Sequence, residues 1–137
     1  MNSTVRSIVA VLAGWATLEV LAGAVGMLLV LLNPLLGFAS TTVDSIATMV
    51  VLPIAAYVGG FVAATISRRS QIAHAVAAGA LAVAAQIALA LWNASQGIEA
   101  LSIPILIFTA LWIIGFCGCG AVHARFRNTK RPARRRR

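Results

Sequence analysis

Acidic residues are almost missing from this chain: Glu19, Asp44 and Glu99 are the only three in 137 residues, against eleven basic ones. Soluble domains carry about a quarter of their residues as charge. Here the charged fraction is 10%, with 61% hydrophobic residues and a mean hydropathy of +0.95, which excludes an ordinary water-soluble domain. The shortage of acids also removes the carboxylate pairs that many hydrolases use. No Ser–His pair, carboxylate dyad or metal-ligand set converges at one depth, so a membrane enzyme is the least supported class and no catalytic residue is assigned. Cysteine is scarce too. Cys117 and Cys119 are too few for a disulfide framework and, on a reducing side, should be free thiols. A Cys-x-x-Cys-His run is absent, which excludes c-type haem attachment.

Long apolar runs are what the chain has instead. Four of them, 8–32, 43–66, 72–92 and 103–124, are each close to the ~20 residues needed to cross a ~30 Å hydrocarbon core. The first is too long for the core of a signal peptide and should stay attached. Every basic residue lies outside these runs: Arg6, the Arg68-Arg69 turn, and the 125–137 tail with Arg125, Arg127, Lys130 and Arg131. The other connections, 33–42 and 93–102, have no Lys or Arg. This is a positive-inside distribution, and it predicts an all-α, four-transmembrane-helix up-down bundle with both termini cytoplasmic. Ala and Arg usage reads as bacterial, so the Asn93-Ala94-Ser95 glycosylation pattern is set aside and the bacterial inner membrane is the expected location. The polybasic tail is read as an orientation signal and an anchor on anionic lipid headgroups, rather than a nucleic-acid site.

Small residues mark the expected contact faces. Ala55-Gly59-Ala63 and Ala56-Gly60-Ala64 are adjacent small-xxx-small rows on helix two, Gly79 lies in an Ala-rich stripe on helix three, and Gly23 and Gly26 follow Ala16 on helix one. The short 67–71 turn should make helices two and three an antiparallel hairpin. Pro53 should kink or loosen helix two. Gly97, in an outer loop, should tolerate bulk. Asp44 is expected to cap the outer start of helix two.

Glu19 is the residue that most needs explaining, because an ionised carboxylate in mid-span costs at least ~2.5 kcal/mol on insertion scales. Its spacing to Gly23 and Gly26 predicts that it faces protein, with Gln86 and Thr109 as partners. Two roles stay open: a neutral hydrogen-bonding group between helices, or a proton-coupling carboxyl with a raised pKa. His74 and His123 fall at similar depth near the basic end, where paired imidazoles could hold a haem, and Cys119 is one turn from His123, as in a soft-metal site. Interfacial histidines are more often simply amphipathic, and no cofactor is expected.

The segment Gly59-Gly60-Phe61-Val62-Ala63, then Arg68-Arg69, then His74-Ala75 with Gly79, resembles the GG-x-x-A, RR, HA-x-x-x-G hairpin of small four-pass bacterial membrane proteins. The likeness covers about 21 residues and implies a fold without an activity. Leu18-Glu19-Val20 looks like the membrane Glu of the small multidrug resistance transporters, although the Ala-rich third helix lacks their aromatic and Gly motifs. The leading expectation is therefore a non-enzymatic structural or accessory subunit, packing as a homo-oligomer or inside a larger membrane complex. The alternative is a small oligomeric proton-coupled transporter or channel that uses Glu19.

Overall fold

The computed structural model describes residues 3–67, 70–97 and 103–129, and every regular element among them is helical. Helix α1 is Ser3–Leu36, α2 is Ser40–Ile46, α3 is Leu52–Ser67, α4 is Gln71–Ser95 and α5 is Ile103–Thr129; a π-helical turn, Ala47–Val51, joins α2 to α3. Four segments are long and apolar enough to span a bilayer: Ser3–Leu36, Ala47–Ser67, Gln71–Ser95 and Ile103–Thr129. At 1.5 Å per residue α1 is about 50 Å long, so it must tilt or project beyond the hydrocarbon.

The helices run past the expected spans for identifiable reasons. The expected 33–42 loop shrinks to three residues. Pro34 falls in the last turn of α1, and the helix ends where Gly37 takes φ +65° and returns its N–H to Asn33 O at 2.9 Å, as a left-handed C-terminal glycine does. Asp44 then lies inside α2 rather than at the start of a span; its side chain is outside the described residues. Gly97 ends α4 in the same left-handed way, with φ +73°, so the expected tolerance for bulk there is wrong: a Cβ would strain this backbone. Pro53 does loosen its helix. The π turn just before it lets Leu52 N–H reach back five residues to Ala47 O, which widens the helix where the proline ring crowds the preceding turn.

Packing is inverted relative to a soluble core. Ala10, Ala55, Ala56, Ala63, Ala64, Ala75, Ala78 and Ala82 are fully buried, while Val20 is 70% and Leu111 66% exposed. Large apolar side chains outside and small ones inside suit lipid, where helices are held by dispersion contacts between closely approached backbones. Among the described residues the largest fully buried side chains are Leu18, Ile113 and, already small, Cys117.

The two small-residue rows of α3 serve different neighbours. The Gly59 row faces α1: a Cβ on Gly59 would lie 2.6 Å from Gly14 O, and one on Gly14 would lie 2.7 Å from Ala63 Cβ. The Gly60 row faces α5, where a Cβ would fall on the Cys117 backbone; Gly120 of α5 reciprocates against Tyr57 and Phe61 of α3. Both of these seams are more extensive than the α3–α4 hairpin, which is nonetheless packed. Gly79 of α4 approaches Cys117 Sγ, where an added Cβ would stand at 3.1 Å.

Candidate functional site

On α1 the buried stripe is Ala10, Gly14 and Leu18, set by contact with α3. Glu19 lies about 100° round the helix from Leu18 and is therefore at the edge of the seam, half-buried. Its partner is local: Trp15 Nε1 donates to Glu19 Oε1 at 3.2 Å. The expected partners are not used. Thr109 donates to Ile105 O of its own helix at 2.7 Å, and Gln86 is half-buried on α4 without a bond to Glu19. Gly23 and Gly26, one and two turns further along the same stripe, do not pack inside the chain either; a Cβ at either position would meet nothing within 4 Å. Covered and uncovered glycines thus separate cleanly, Gly14, Gly59, Gly60, Gly79 and Gly120 in the first set, Gly23, Gly26, Gly115 and Gly118 in the second.

The histidines do not converge. His74 bonds through Nδ1 to Ser70 O at 2.9 Å and lines a groove of about 410 Å³ against Ser7, Ile8 and Val11 of α1. His123 instead belongs to the α3–α5 seam, where its Nδ1 and Tyr57 Oη share a hydrogen bond and its ring meets Phe61 edge-on at 5.7 Å. The two imidazoles thus make their contacts with different elements, His74 with the Ser70 carbonyl and the α1 groove, His123 with α3. Cys119 is exposed, and no group of three His, Cys, Asp or Glu side chains that could hold a metal occurs among the described residues. The buried thiol is Cys117, which donates to Ala56 O at 3.1 Å across the same seam.

The basic residues divide by helix face. Arg127 sits over the Phe61 ring at 5.8 Å, whereas Arg125 lines cavities on the α4 side of α5. Arg6 Nε donates to Ile66 O at 2.7 Å, satisfying a carbonyl in the last turn of α3 that has no helical partner. Arg68, Arg69, Lys130 and Arg131 lie outside the described residues.

Several of these contacts escape a single-helix reading. Tyr57 and Phe61 on α3, and His123 and Arg127 on α5, are both i,i+4 pairs, and matching them by depth would have revealed the ladder. Gly14, four residues before Leu18, was the usable sign of the true buried stripe.

Small-residue cores, outward-facing large apolar side chains and four spanning-length helices are the construction of a multi-pass helical membrane protein. Comparisons with protein-family models, curated proteins and solved structures find no match to this chain.

Proposed function

We infer that this protein is a non-enzymatic structural component of a bacterial inner membrane, assembling with a second copy of itself through the outer face of α1, its basic end in the cytoplasm. The observation that carries this reading is the Glu19 stripe: a half-buried carboxyl followed by Gly23 and Gly26, both with open space where a Cβ would stand. An ionised carboxylate left against lipid costs at least ~2.5 kcal/mol even on insertion scales, and the Trp15 indole satisfies only one of the Glu19 oxygens. A second α1 related by a two-fold axis brings another carboxyl within hydrogen-bonding reach of the first, while the glycines allow the backbones to approach. The gathering of Arg6, Arg125 and Arg127 at one end of the bundle supports this orientation through the positive-inside bias.

Native mass measurement in mild detergent tests this. Wild type and Glu19→Gln should both run as dimers, since an amide still hydrogen-bonds, and Gly23→Leu should run as a monomer. A monomeric wild type, or a dimer untouched by Gly23→Leu, counts against the reading. Proton flux in reconstituted vesicles that Glu19→Gln abolishes would favour the coupled-transport alternative instead.

A further inference from the structure

Two adjoining cavities separate the start of α4 from the end of α5. One, of about 500 Å³, is lined by Ser70, Gln71, Ile72, Ala73, Arg125, Asn128 and Thr129. The other, of about 320 Å³, is lined by Ile72, Val122, Arg125, Phe126 and Thr129. They share Ile72, Arg125 and Thr129, so a more polar compartment lies directly beside an apolar one.

The polar compartment is rich in donors. Arg125 offers a planar fork of N–H groups, and Gln71 and Asn128 offer amide N–H groups beside it. Thr129 spends its hydroxyl proton on Phe126 O at 2.8 Å. No carboxylate lines either cavity, and Arg125 has no acidic partner among the described residues. Arg127, two positions along, is turned away over Phe61. The apolar compartment presents Ile72, Val122 and Phe126, which are 41%, 41% and 63% exposed. Among the described residues one cation with amide donors, set beside an uncovered apolar trough at the end of two spanning helices, matches an amphiphile in both halves.

We propose that this paired cavity is a binding site for one anionic phospholipid, its phosphate on Arg125, Gln71 and Asn128 and the upper part of an acyl chain along Ile72, Val122 and Phe126. Phosphate is favoured because a guanidinium fork binds its oxygens two at a time, which distinguishes a site from a diffuse positive surface. Diffuse attraction would value every basic residue near the membrane alike, at about fivefold in affinity each. The site instead makes Arg125 and Arg127 unequal, although removing either changes the net charge by the same amount.

The test is native mass spectrometry of the full chain from mixed micelles containing phosphatidylglycerol or phosphatidylcholine. Wild type should retain one phosphatidylglycerol per chain and no phosphatidylcholine. Arg125→Ala should lower phosphatidylglycerol occupancy tenfold or more, since the charged bonds to phosphate are lost, and Arg127→Ala by fivefold or less. Val122→Trp, which fills the trough and leaves every charge in place, should also displace the lipid; helical circular dichroism checks that each variant is folded. Equal losses for the two arginine variants would overturn the site in favour of diffuse attraction. Equal retention of phosphatidylcholine would overturn it as well. Displacement of the lipid by millimolar inorganic phosphate, with Val122→Trp unaffected, would make it a soluble-phosphate site and defeat the proposal. Because these readouts concern lipid rather than dimerisation, they stand or fall separately from the α1 interface.

Discussion

Gly60→Ala adds one methyl group at the tightest helix crossing in the bundle. The new Cβ would fall on the carbonyl and Cα of Cys117, which are backbone atoms, so no side-chain rotation can relieve the overlap. Restoring an ordinary ~3.5 Å contact requires α3 and α5 to part by on the order of 1 Å. That movement also stretches the 3.1 Å bond from Cys117 Sγ to Ala56 O and draws Tyr57 and Phe61 from His123. Overpacking of this kind costs about 1–3 kcal/mol and the weakened hydrogen bonding about 1 kcal/mol more, so the expected loss is about 2–4 kcal/mol. Gly115→Ala is the matched control, the same chemical change on α5 with nothing within 4 Å of the added atom. It should be neutral or stabilising by up to ~1 kcal/mol, because alanine orders a helix better than glycine. Thermal unfolding in mild detergent reads the difference, and a loss of this size should lower the midpoint by on the order of 10 °C. If the two variants melt together, the helices are not as close as the Gly60–Cys117 contact requires.

Ser70 holds φ at +51°, a left-handed conformation that glycine adopts without strain, so Ser70→Gly should raise stability by about 0.5–1 kcal/mol in the same assay; a fall would show that its side chain is needed. Arg6→Ala removes the donor to Ile66 O and should cost about 1 kcal/mol, with hydrogen exchange faster in the last turn of α3 than elsewhere; uniform exchange would place the bond's role in doubt.

Hydrophobic run lengths located all four spanning helices in the sequence, because ~20 apolar residues have few other uses. Their ends were less legible. A proline such as Pro34 normally signals a helix end, yet it was tolerated within the last turn, and the true stop was the left-handed Gly37. Glycines mark close approach without saying which helix approaches. Gly59 and Gly60 meet α1 and α5, although their short connection to α4 suggested otherwise, because two rows about 100° apart on one helix can serve two neighbours. Gly23 and Gly26 show the converse: the same residue type meets no partner inside the chain. His74 and His123 are expected at similar depth, but depth alone cannot give the direction in which a side chain leaves its helix. Tyr57 and Phe61 claim His123, and the Ser70 carbonyl claims His74.

Self-association through α1 is tested most directly by oxidative crosslinking in native membranes, with Cys119→Ser as the background because that thiol is exposed while Cys117 is buried. Gly23→Cys, on the Glu19 stripe, should form a disulfide-linked dimer rapidly, and Gly115→Cys, on an uncovered part of α5, should not. A monomeric Gly23→Cys, or equal crosslinking at both positions, would contradict an α1 interface.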